Sequence, residues 1–193
     1  KIITGNRPWN VIINVDNNGE LISRVSEFRN TTGINIKNNS KATFENYVII
    51  TNPNFHIIDN STADFNDTLY IMDDGDDGWP IIEQDNDFRG GALSLDNNST
   101  LDIKGKAIFE DTNALINHGS TVKINYLDDY GSKIYVVNDS KLEINKDAKF
   151  VTTDLIIKDS KLEINKDAKF IGAHLIVKDD SNTTINGELT VEN

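Results

Sequence analysis

The 193-residue chain has no cysteine, three prolines, one methionine and two tryptophans. Without cysteine it can form no disulfide, no thiolate zinc site and no cysteine nucleophile. Small secreted animal domains usually carry disulfides. Many exported bacterial surface proteins do without them, so the absence tilts toward that class. Positive charge is also scarce: 19 Lys and Arg stand against 31 Asp and Glu, for a formal net charge of −12. Nucleic acid is therefore not an expected partner, because phosphate binding needs a concentrated basic surface. Electrostatic docking on anionic lipid is not expected either. No run of about 18 apolar residues exists, so no membrane-spanning helix is expected. The chain begins KIITGNRPW and ends GELTVEN, with neither a Met nor a secretory signal pattern at its start. It is expected to be a segment of a longer protein.

What is plentiful is Asn and Ile, 26 of each. Asn disfavours helix interiors and suits turns, whereas Ile suits strands. The mixture predicts many short strands separated by tight bends.

The order of these strands follows from a repeat. Residues 139–150 and 159–170 both read DSKLEINKDAKF. Related units open at Ser40, Ser61, Ser99, Ser120, Ser140, Ser160 and Ser181, and Gly19 holds the same place one step earlier. These markers are 20 or 21 residues apart, except for a step of 38 between Ser61 and Ser99. Apolar residues alternate before each marker, as in Leu155 and Ile157. They alternate again two and four residues after it, as in Leu162 and Ile164. A third pair follows at eight and ten, as in Ala168 and Phe170.

This is period-two patterning in three short strands per repeat. Twenty residues are too few for each repeat to close its own sheet, but they suit one turn of a coil. The predicted fold is an all-β parallel β-solenoid, a three-faced right-handed β-helix with coils of 20–21 residues. Its hand follows from the crossover rule for parallel strands. At about 4.8 Å per strand, eight coils make a rod roughly 40 Å long. The whole chain, 1–193, reads as one such domain. Asn66, Asn125, Asn145, Asn165 and Asn186, each five residues past a marker, are expected to stack as an amide ladder. The marker serines should stack in the same way but more weakly. Outward Lys141, Glu143, Lys161 and Glu163 predict a solvated wall in which diagonal Lys–Glu contacts offset like-on-like stacking.

Function is expected where this rule breaks. The 38-residue step reads either as two irregular coils of about nineteen residues or, preferred here, as one coil carrying an insertion at about 73–91, and solenoid insertions often gather on a binding face. A smaller irregularity, NYLDDYGSK at 125–133, is expected to replace a third strand and to present Tyr126 and Tyr130 beside Asp128 and Asp129. Trp79, Phe88 and Arg89 in the insertion, with Tyr126 and Tyr130, are the candidate ligand-binding residues. An exposed Trp can stack on a sugar ring while Asp and Arg take its hydroxyls; the bland alternative is that Trp79 pins the insertion to the rod. Trp9 is expected to pack over the first coil.

DDGDDG supplies Asp73, Asp74, Asp76 and Asp77 on a glycine-bearing backbone, an oxygen set that Ca²⁺ could use. The spacing fits neither an EF-hand loop nor a nonapeptide calcium repeat, and a solvated acidic turn accounts for it as well. No other cofactor is expected. Paired carboxylates raise glycoside or uronate chemistry. Acids that alternate with Lys along a wall do not form the convergent set such a site needs, so no catalytic residues are assigned. His56, His118 and His174 read as bend and surface residues without metal-ligand spacing.

RGGALSLDNNSTLDIKGKAIFEDTNAL, residues 89–115, resembles the repeats of autotransporter passenger domains of the polymorphic outer-membrane protein type. The matching pieces are Gly90-Gly91-Ala92-Leu93 and Phe109 through Asn113-Ala114, with FxxxN where that family has FxxN. ATFENYVIITN at 42–52 is similar to pectate-lyase-like adhesive domains of Gram-positive surface proteins. Both resemblances imply a β-helical adhesin at the bacterial surface or secreted from it. The implied partner is a host glycan or an extracellular protein. The alternatives are a passive stalk and a polysaccharide-degrading β-helix enzyme.

Overall fold

The structure is a computed structural model that describes residues 2–3, 12–28, 33–51, 54–72 and 92–193. Every strand pair in it is parallel, and each strand pairs with its counterparts one coil away. The result is a β-solenoid of about seven turns, without a helix among the described residues.

Each coil contributes strands to three faces. The first face is an eight-stranded sheet that runs from Ile12–Val15 through Lys133–Val137 to His174–Lys178. The second carries Glu20–Ser23, Lys41–Phe44, Thr62–Phe65 and, further along, Lys141–Ile144 and Lys161–Ile164. The third carries Val48–Thr51, Leu69–Met72, Ala148–Val151 and Ala168–Ile171. In the middle coils the second and third faces merge, because Thr100–Glu110 and Thr121–Tyr130 run through the corner as continuous strands.

Alternation puts two apolar columns inside each face. Leu142 pairs with Leu162, Ile144 with Ile164 and Phe150 with Phe170, all at most 3% exposed. Fully burying such a side chain stabilises by about 1.5–3 kcal/mol. Identical neighbours also pack face to face. The rings of Phe44 and Phe65 lie 4.4 Å apart and nearly parallel, and those of Phe150 and Phe170 lie 4.7 Å apart.

The corner between the first and second faces explains the Asn/Asp excess. Asn17–Asn18, Asn38–Asn39, Asp59–Asn60, Asn97–Asn98 and Asn138–Asp139 are consecutive residues at positive φ. Asn and Asp tolerate that conformation better than other side-chain-bearing residues. Bent this way, the corner still bonds to its neighbour: Asn18 N–H donates to the Asn38 carbonyl, Asn39 to Asp59 and Asn60 to Asn97, at 2.9–3.0 Å.

The serines make the stronger ladder, contrary to expectation. Ser40, Ser61, Ser99, Ser120 and Ser140 are at most 2% exposed. The Gly19 amide donates to Ser40 Oγ, Ser40 to Ser61 Oγ, Ser61 to Ser99 Oγ and Ser99 to Ser120 Oγ, at 3.0–3.3 Å. The bonds resume from Ser140 to Ser160 and from Ser160 to Ser181. A serine is required because its short hydroxyl reaches an amide in the adjacent coil without filling core space.

The asparagine column is only partly an amide ladder. Asn186 Nδ2 donates to Asn165 Oδ1 at 3.0 Å. Lower down, Lys104 occupies the same position; its Nζ donates to Asn66 Oδ1, and Asn125 Nδ2 donates to the Lys104 carbonyl. The wall has the expected diagonal: Lys141 Nζ lies 2.6 Å from Glu143 and 3.1 Å from Glu163.

The coils flanking residues 73–91 stack directly on each other. Leu93 pairs with Phe55, Thr100 with Thr62 and Ala107 with Leu69. At the other end, no described residue covers the last coil. Val177, Leu189 and Val191 are 45–65% exposed, although they occupy inward positions.

Candidate functional site

Two groups of predicted site residues fare differently. Trp79, Phe88 and Arg89, and the candidate calcium ligands Asp73, Asp74, Asp76 and Asp77, lie outside the described residues, as does Trp9. Among the described residues no group of three His, Asp or Glu could hold a metal ion. Tyr126 and Tyr130 are described, and they share a face.

Residues 125–133 do not replace the third strand, as the spacing suggested. Leu127–Tyr130 is a regular third-face strand, paired with Ala107–Glu110 on one side and Ala148–Val151 on the other. The irregularity is in the corner, where Tyr126 aligns with Lys106 after a register shift between Ile103 and Lys106. The preceding coil fits its longer corner with Gly105, where a Cβ would come within 2.6 Å of the Asp67 backbone.

Alternation then sends Tyr126, Asp128 and Tyr130 outward and Leu127 and Asp129 inward. Asp129 is therefore not part of the surface. It is completely buried, in register between Phe109 and Phe150.

On the outward side, neighbouring coils supply cations. Lys106 Nζ pairs with Asp128 at 2.5 Å. Lys146 Nζ lies 4.5 Å from the centre of the Tyr126 ring, and Lys149 Nζ lies 5.1 Å from that of Tyr130 and 3.5 Å from its hydroxyl. Exposed cation–π contacts are weak, about 0.5–1 kcal/mol, so these lysines can be displaced. Tyr126, at 37% exposure, is among the most exposed large apolar surfaces of the described chain.

A groove of about 610 Å³ runs from this tyrosine along the stack. Its floor and first wall are Lys106, Asp128, Lys149, Lys169 and Thr190. The corner residues Asp147, Asp167 and Glu188 form the opposite rim. Asp167 Oδ1 accepts the Glu188 amide at 2.8 Å, which fixes that carboxylate in place.

Sequence reasoning missed two further tyrosines on the same side. Tyr47 is 39% exposed at the corner that leads into Val48–Thr51. Tyr70 points outward from Leu69–Met72, and its hydroxyl donates to Glu110. That bond, with burial second, pushes the Tyr70 phenol up to about 12. In register Tyr47 takes the place of Tyr126, just before the third-face strand, and Tyr70 takes that of Asp128. Met72, which ends the third-face strand Leu69–Met72, is the last described residue before position 92.

The histidines have partners that no local window displays. His118 Nδ1 meets Asp96 at 2.6 Å and His174 Nδ1 meets Asp154 at 2.8 Å, each carboxylate one coil away. His56 bonds Ser94 Oγ at 2.6 Å through Nδ1 and Asn54 through Nε2. Burial pushes its imidazole down. A serine, histidine and amide in line can activate a nucleophile. Ser94, however, lies inside the first-face sheet, where neighbouring backbone amides are committed to the ladder.

No protein-family model matches the chain, and neither a curated protein nor a solved structure matches it. The fold and the third-face geometry are therefore the grounds for a functional reading. In that fold, the second piece of the resemblance spans one corner: Phe109 is the last residue but one of Thr100–Glu110, and Asn113-Ala114 opens the next first-face strand.

Proposed function

We propose that the chain is a non-enzymatic segment of a bacterial surface or secreted adhesin whose third face binds a host glycan or an extracellular protein. The observation that carries it is the groove that opens at exposed Tyr126, with the Lys106–Asp128 pair beside the ring. An aromatic next to opposed charges, held on paired strands, can stack against a ring and bond its polar rim. The parallel stack supplies rigidity, so the surface is organised before a partner arrives. The sequence resemblance to β-helical adhesins points the same way.

A passive stalk is the second reading, supported by the self-paired wall of Lys141, Glu143, Lys161 and Glu163. Binding of the chain to glycan and matrix-protein arrays separates the two. The adhesin reading expects a bound partner whose signal falls with Tyr126→Ala or with deletion of residues 73–91. Binding to nothing on either array favours the stalk, and binding untouched by both changes overturns the third-face site. Turnover of a uronate polymer by the chain would overturn both.

A further inference from the structure

We infer that the third-face groove accepts a linear, uncharged glycan laid along the solenoid axis, one sugar residue per coil. This rests on the binding function proposed above and specifies its ligand.

The groove is periodic in the direction of the stack. Asp147 and Lys149 in one coil are followed by Asp167 and Lys169 in the next, in strict register. Glu188 and Thr190 follow in the third. Each step therefore offers a carboxylate acceptor and a donor at the same lateral position, about 4.8 Å further on. A pyranose ring with its glycosidic oxygen advances an extended glycan by nearly that distance. Each residue of an extended β-1,4 glycan, turned over relative to the one before, would present a hydroxyl-bearing rim to one acceptor–donor pair, a period that a non-repetitive protein surface lacks.

Charge selects within glycans. The groove is lined by three lysines and four carboxylates, and Lys169 also pairs with Glu192 at 2.6 Å, so a polyanion gains no net attraction there. Hydroxyl groups, which donate and accept, suit alternating carboxylates and ammoniums. Tyr126 closes one end of the row and can stack on the apolar face of a terminal ring once exposed Lys146 moves off it.

The test is calorimetry and tyrosine-resolved NMR with β-1,4-linked glucose oligomers of one to six residues, and a polyuronate series of equal length. Affinity should rise with each neutral residue and level off near four or five, the number of coils along the groove. Tyr126→Ala should weaken binding about tenfold, as expected for loss of an aromatic anchor, and Lys146→Ala should strengthen it. Binding without length dependence, or uronates binding as well as neutral oligomers, overturns the inference. If the oligomers fail while array binding to another partner remains sensitive to Tyr126→Ala, the inference falls and the adhesin reading stands. If neither Tyr126→Ala nor deletion of residues 73–91 alters any binding, both fall.

Discussion

Thr153 Oγ1 lies 2.6 Å from Asp129 Oδ2 inside the coil, where an apolar side chain would continue the column from Phe109 to Phe150. The same hydroxyl lies 3.2 Å from the Val151 carbonyl. Thr153 donates the bond to Asp129, which favours the ionised carboxylate and offsets only part of the cost of burying it. The other oxygen, Oδ1, meets no hydrogen-bond donor. Burial dominates and raises this carboxyl from 3.8 to about 6, against the opposing pull of Ser132, Thr153 and the Tyr130 amide. Nearby Asp111 adds to the rise.

Because the folded value lies above the unfolded one, Asp129 contributes stability that is complete below about pH 4 and lost as pH rises through about 6. The change across that window is about 3 kcal/mol. Urea midpoints taken from pH 4.5 to 7.5 should therefore fall for the native chain relative to Asp129→Asn. Parallel curves for the two would show that the carboxyl is not the titrating group.

His56 acts in the opposite sense. Burial lowers its value below 6.5, so it favours the folded state at higher pH and weakens it as pH falls through the folded value. Its imidazole NMR titration should have a midpoint below 6.5. Ser94→Ala should leave that direction unchanged, because burial and not the serine sets it.

The serine ladder should outweigh the charged wall. Ser99→Ala strips the Ser61 amide of its acceptor within a buried corner. Leaving such a donor unsatisfied costs about 1–3 kcal/mol. Lys141→Ala breaks more ion pairs, but these are partly solvated and typically worth under about 1 kcal/mol. Chemical denaturation of the two variants should show the serine change to be the larger loss. The reverse order would place stability on the outer wall.

Stacking in one dimension predicts graded protection. Amides in Lys141–Ile144 and Lys161–Ile164 have coils on both sides, whereas Asn182–Ile185 and Leu189–Glu192 have one neighbour only. Hydrogen exchange should be slowest in the former and fastest in the latter. Uniform exchange along the chain would mean that the coils open together.

The fold was legible because every coil meets the same packing problem. Leu142 and Leu162 occupy equivalent positions in sequence and adjacent positions in space, so a period in the chain is a contact in the structure. Asp129 was not legible for a related reason. The corner before Leu127 is shorter than its neighbours, which moves the third strand one place relative to its marker, and LDDY then reads as a polar loop. Pairing of Leu127 with Ala107 and Ala148 restores the phase and turns the second aspartate inward. The serine ladder was underrated because its partner is a backbone amide, which no residue pattern displays. The histidine–carboxylate pairs were hidden by sequence separations of 20 and 22 residues.

The two DSKLEINKDAKF copies meet face to face in perfect register, with Leu on Leu, Ala on Ala and Phe on Phe. An interface between identical surfaces has no memory of which copy it joins. Unequal recombination that copied one such unit would lengthen the rod by a single step and create no new kind of contact. Loss of one would shorten it as cleanly. The length of the rod is thus a heritable quantity that can change in whole steps, without selection having to redesign the core each time.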